Sequence, residues 1–294
     1  MTHPHRSRPS AVGTSAVSPV LAAGAVLALV LTSCGASDED TAQSERAGGD
    51  RLVTSAEAGM ERASSFGFDS AGFFTEDAVQ EFRTQMEDSM AEGADDAEVD
   101  PAECAEPLAA VDWAPLLLGT DAARVDFGSE TFTGTGSIEV ASVSDGEDSE
   151  RVDEHFDHVR TLVESCPELE FSRHGSDYDL EVSEVELDQL EAAESGHQGT
   201  IAYSWTRGFE GEDQDAVEDG DQEGEADEVP EGAPDDEAHR GGGGTIVAQI
   251  LFTRMDDDVV MVSFIGETAA GSSEFTEMAE SITDHTLDSL EETR

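Results

Sequence analysis

Three sets of side chains in this sequence have the types and spacing to do chemistry. The first is Tyr203, Trp205 and Arg207. At a strand's period of two they share a face with Ile201, so an aromatic row ends on one of the chain's few cations, which could orient a ligand in a cleft. The same row also suits a core edge whose arginine pairs with a carboxylate. The second set is His155 and His158, with Glu154 and Asp157 beside them. Two imidazoles and a carboxylate on one helix could ligate a divalent metal. Their position on the flank of an apolar stripe favours a polar helix side instead, and no metal site is assigned. The third set is Cys34, Cys104 and Cys166. No Gly-x-Ser-x-Gly elbow occurs, no catalytic residue is assigned, and no cofactor is expected.

Cys34 has a context of its own. Arg6 and Arg8 precede an unbroken apolar run from Val20 to Leu31, followed by Thr32, Ser33 and Cys34. About twelve apolar residues reach only ~18 Å as a helix, well short of the ~30 Å a spanning segment crosses. This is the layout of a signal peptide. A branched aliphatic residue and two small ones before a cysteine resemble the bacterial lipobox, which implies cleavage before Cys34 and acylation of its thiol. The expected organisation is a leader over 1–33, a flexible tether over 34–50 and one extracellular domain over 51–294. The expected location is the outer face of the cytoplasmic membrane, held by the N-terminal lipid. An ordinary secretory leader, with Cys34 paired to another thiol, is the alternative.

Charge excludes a class of partners. The chain carries 14 basic residues and 69 acidic ones, a net charge of −55. Without a basic patch for phosphate contacts, nucleic-acid binding is excluded. If Cys34 carries lipid, Cys104 and Cys166 remain, and an even remainder in an oxidising compartment predicts one disulfide; two separate buried thiols are the alternative. The segment 210–244 holds fifteen acids, Pro230, Pro234 and a run of four glycines. It cannot bury enough apolar surface to offset its ordering entropy and is expected to be a long disordered acidic loop. Its Asp219, Gly220 and Asp221 lack the spacing of a calcium loop, so diffuse cation condensation is expected there. A second linker is expected around Glu92 to Val99.

The elements that must position these groups follow from periodicity. Helices are predicted over Arg51 to Ser64 and Asp77 to Met90, with Phe66, Phe68, Phe73 and Phe74 clustered between them. Asp100 could cap a helix with Pro101 first and Glu103 third, carrying Cys104, Leu108 and Val111 on one face. Val152, Phe156, Val159, Val163 and Cys166 form one stripe of a helix starting near Ser149, and Phe275 to Leu290 shows the same kind of pattern. Strands are predicted over Thr131 to Val143, Asp179 to Leu187 with a bulge at Ser183 to Glu184, Thr200 to Arg207, Thr245 to Thr253 and Val259 to Ile265. Runs of adjacent strands demand antiparallel pairing. The expected fold is α+β, an antiparallel sheet of about five to six strands with helices covering one face.

A resemblance adds to this. The run Asp100, Pro101, Ala102, Glu103 and Cys104, then Leu108, the strand through Val140, and the helix ending in Ser165, Cys166 and Pro167 resemble small actinobacterial cell-envelope lipoproteins. These are similar to the extracellular sensor domain of PknH-like mycobacterial kinases, over roughly Asp100 to the C-terminus. That family implies a sheet flanked by helices, a ligand cleft and two disulfides, of which only one can form here. The resemblance implies a non-catalytic module that binds a small ligand or an envelope protein. A cell-envelope hydrolase and a spacer that solvates the surface are the opposing readings.

Overall fold

The computed structural model describes residues 46–94, 98–118, 121–143, 146–173, 176–187, 199–209 and 245–294. The leader, Cys34, most of the expected tether and the acidic segment 210–244 lie outside these residues. In chain order the elements are α1 (Asp50–Ser65), β1 (Ser70–Phe73), α2 (Glu76–Ala94), β2 (Glu98–Asp100), β3 (Ala122–Ser129), β4 (Phe132–Ser142), α3 (Gly146–Ser165), β5 (Glu168–Arg173), β6 (Ser176–Glu184), β7 (Gly199–Phe209), β8 (Thr245–Met255), β9 (Asp258–Gly266) and α4 (Ser273–Glu292). Short 3₁₀ turns at Ala102–Cys104, Pro107–Asp112 and Pro115–Leu117 join β2 to β3. Ala47 is buried and donates its N–H to the Phe74 carbonyl, so packed structure begins before residue 51.

All nine strands form one antiparallel sheet in the order β1-β3-β4-β9-β8-β7-β6-β5-β2. The class is the α+β predicted, but nine strands replace the expected five to six. Of the four missed, β1 and β2 have four and three residues, too few to show a period. The chain leaves the sheet centre after β4, crosses through α3 to β5, and returns strand by strand until β9 pairs with β4. The 210–244 segment therefore joins two hydrogen-bonded neighbours, with Gly208 opposite Thr245.

Helices cover both faces, not one. On the first face Val152, Phe156, Val159 and Leu162 of α3 pack with Leu180, Tyr203, Trp205 and Phe252. On the second, Leu52, Ala56 and Met60 of α1 and Ile282, Leu287 and Leu290 of α4 pack with Val125, Ile138, Leu251, Val262 and Phe264. This explains why β8 and β9 read as continuous apolar runs: both of their faces are buried. Phe68 sits in the second core against Phe127, Phe132 and Phe264, while the partly buried Phe66 and Phe73 pack on that core and Phe74 packs on the first.

Two further expectations are corrected. No α-helix starts at Asp100, which pairs with Glu170 in the sheet; Pro107 would fall inside such a helix, removing a donor and clashing with the preceding turn. The step at Ser183 to Glu184 is not a bulge, because β6 stays in register with β7 through Glu184. It marks a change of face: Leu180 and Val182 join the first core, Val185 and Leu187 the second. Cys104 and Cys166 are joined as predicted, with Cα atoms 5.9 Å apart.

Candidate functional site

Strand β7 lies between β6 and β8, so the row Tyr203, Trp205 and Arg207 is held in register from both sides. At one end Tyr203 is fully buried beneath the Pro107–Asp112 turn, and its hydroxyl donates to the Ala110 carbonyl at 3.4 Å. Burial, then the charge of Asp112, pushes its phenol pKa up, so this hydroxyl stays protonated. Trp205 is also in the core. The row emerges at Arg207, which is half-buried. Its guanidinium carbon is 4.9 Å from the Trp205 ring centroid and 5.9 Å from that of Tyr178, and Tyr178 stacks on Phe171 at 5.0 Å. No carboxylate of a described residue pairs with it. The Trp205 indole N–H and the Arg207 Nε are buried donors with no hydrogen-bond partner among the described residues. One face thus runs from a closed core at Tyr203 and Trp205 to the half-buried Arg207, with both of these donors buried.

The two histidines of α3 part company. His155 is a core residue, 2 % exposed, stacked on Trp113 at 4.2 Å and edge-on to Phe252 at 5.0 Å. This corrects its reading as part of a polar flank. Burial, with a smaller push from His158, lowers its pKa to about 3, so it is neutral and acts as an aromatic core group. His158 is the flank residue, with its Nε2 4.0 Å from a carboxylate oxygen of Glu106.

Two other ionic features were invisible in the sequence. Arg124, on β3, donates to Asp126 at 2.7 Å and to Glu139 at 2.8 Å, while the Leu116 N–H donates to Glu139 at 3.2 Å. Burial works against the Arg124 charge, but Glu139 and Asp126 outweigh it and raise its pKa. The rings of Phe74 and Phe82 lie against this guanidinium, closing a group that fixes β3 and β4 rather than a reactive centre. The other feature is a groove of about 300 Å³ whose lining includes Glu98, Asp100, Glu170, Asp177 and Asp179. Asp100, Glu170 and Asp179 stand directly opposite one another across β2, β5 and β6. The intervening Val99, Phe171 and Tyr178 belong to the first core, so the period of two puts the carboxylates on the other face. Like charges so placed repel. Seeing this row required knowing that β2 and β5 are strands.

No helix among the described residues is long and apolar enough to cross a membrane. No protein-family model matches the chain. No curated protein matches it. Among solved structures, the extracellular domain of PknH from Mycobacterium tuberculosis is 12 % identical with a TM-score of 0.39, covering 78 % of this chain and 91 % of that one. An uncharacterised protein from Mycobacterium smegmatis is 11 % identical with a TM-score of 0.37, covering 80 % and 96 %. At these values the likeness carries neither a family nor a residue role.

Proposed function

We propose that this chain is an extracytoplasmic lipoprotein, tethered through Cys34 to the outer face of the cytoplasmic membrane, whose α+β domain binds a small ligand or an envelope protein without catalysis. The observation that supports the binding role is the pair of buried donors on Trp205 and Arg207 that have no hydrogen-bond partner among the described residues. No carboxylate of a described residue pairs with Arg207, which supports a bound oxygen as the partner of its guanidinium. A buried donor left unsatisfied costs about 1–3 kcal/mol, recovered when an oxygen acceptor arrives. The bound group therefore presents carbonyl or carboxylate oxygens to the Arg207 rim, beside the Tyr178 and Trp205 rings. The tether is supported by the leader and by the pairing of Cys104 with Cys166, which leaves Cys34 without a partner elsewhere in the chain.

The binding role is tested on the full chain in detergent, titrating mono- and dicarboxylates and peptides with free C-termini while following tryptophan fluorescence and melting temperature. Saturable binding is expected, lost in Arg207→Gln and partly kept in Arg207→Lys. Binding unchanged in Arg207→Gln, or no saturable response, overturns the site. Turnover of ester or peptide substrates, with serine-directed labelling abolished by one serine substitution, would make the protein a hydrolase instead. For the tether, Cys34→Ser should move the chain from the membrane to the medium; a chain that stays in the membrane fraction refutes acylation at that thiol.

A further inference from the structure

Glu154 and His158 lie four residues apart on α3, one turn apart on the same side of the helix. Glu106 reaches them from the junction of the Ala102–Cys104 and Pro107–Asp112 turns. That junction is fixed against the end of α3 by the Cys104 to Cys166 bond, two residues before Glu106. One ligand atom from each of Glu106, Glu154 and His158 lies within 4.8 Å of the other two. We propose that Glu106, Glu154 and His158 form a divalent transition-metal site that staples the Glu106 turn to α3.

Metal-to-ligand bonds of ~2.0–2.2 Å in tetrahedral geometry place donor atoms roughly 3.3–3.6 Å apart. The three side chains need to close by about 1 Å, which exposed carboxylates do by rotating about their side-chain torsions. The Glu106 side chain is 83 % exposed, so its movement breaks no packing, while His158 is 21 % exposed and held by the helix. Two carboxylates facing each other across a turn repel, and a cation removes that repulsion. One imidazole with two carboxylates suits zinc or cobalt, whereas calcium wants six to eight oxygens on a scaffold. Three protein ligands at an exposed position leave room for water. The ion would be a second link between the two segments that the disulfide joins, independent of the binding role assigned to Arg207.

The test uses tag-free full chain in detergent, titrated with Zn²⁺ and with Co²⁺ in the presence of excess Ca²⁺, which occupies diffuse sites on the acidic surface. The expected result is one ion per chain, a visible Co²⁺ absorption band, and a melting temperature that rises with Zn²⁺. Affinity should be at least about tenfold weaker in His158→Ala and in Glu106→Gln, and unchanged in the exposed helix-start control Glu147→Gln. Glu106→Gln alters a solvated side chain, so in chelator it should melt as the parent does. No saturable binding above the Ca²⁺ background, or binding insensitive to both His158→Ala and Glu106→Gln, overturns the site.

Discussion

Replacing Asp258 with asparagine probes the ionic knot that ties the start of α1, the end of β4 and the β8–β9 turn together. Its carboxylate is 2 % exposed and accepts two bonds from Arg51 at 2.7 Å, one from Ser142 at 3.0 Å and one from Arg294 at 3.2 Å. Breaking a buried pair costs about 3–5 kcal/mol. Arg51 and Arg294 are 30 % and 34 % exposed, so water recovers part of that. The asparagine also keeps one acceptor, and the expected loss is about 2–3 kcal/mol, or about 5–10 °C in a domain of this size. The pH dependence gives a second handle. Burial raises the Asp258 pKa, but Arg51, Arg294 and Ser142 outweigh it and hold the group below the ordinary carboxylate range. Its folded pKa lies below its unfolded one, near 4, so the stabilisation is complete above about pH 4 and is lost as pH falls through the folded value. The gap between parent and Asp258→Asn should be full at pH 7 and narrow in acid. Protonation of the chain's other carboxylates affects both proteins alike and cancels in the difference. Urea unfolding followed by tryptophan fluorescence measures the gap. A gap under about 0.5 kcal/mol at pH 7, or one that does not narrow in acid, refutes the reasoning.

Gly59 of α1 faces α4 so closely that a Cβ there would lie 2.3 Å from the Thr286 hydroxyl, which is buried and bonded to the Ile282 carbonyl. Gly59→Ala gains about 1 kcal/mol of helix propensity but overpacks the contact by about 1–3 kcal/mol, so a net loss of about 1 kcal/mol is expected; a stabilised variant would show that α1 and α4 are not so tightly seated. The Cys104 to Cys166 bond spans 62 residues, and in the chain-entropy model its removal as Cys104→Ala with Cys166→Ala costs about 4 kcal/mol. Urea midpoints equal for parent and double variant would mean that the unfolded chain is already compact across that span.

What the sequence disclosed was what periodicity or bookkeeping can carry. The α3 stripe, the α4 pattern, the apolar runs of β8 and β9, and the cysteine pair all appear where they were placed. The turn that joins β8 to β9 is only Asp256 and Asp257, with Asp256 in the left-handed region at φ 52°. The sheet edges escaped because three or four residues show no alternation, and the coverage of both faces was hidden in the lack of alternation in β8 and β9. At the rim, spacing put Tyr203, Trp205 and Arg207 on one face, as found, but could not tell that Tyr203 is sealed under Ala110 while Arg207 reaches the edge. His155 was misplaced because a histidine beside acids resembles a polar flank until its stacking on Trp113 is seen. Glu106 had no signal, since the contact that gives it meaning is made across the fold.

The sheet ends in its two shortest strands, four residues at β1 and three at β2, the latter presenting Glu98 and Asp100 beside its unpaired edge. A long bare edge is a template on which another molecule can zip a strand, and short, negatively charged edges deny it the length and the charge to do so. Extending β2 by a few β-branched residues while neutralising its two acids would make this edge prone to edge-to-edge assembly.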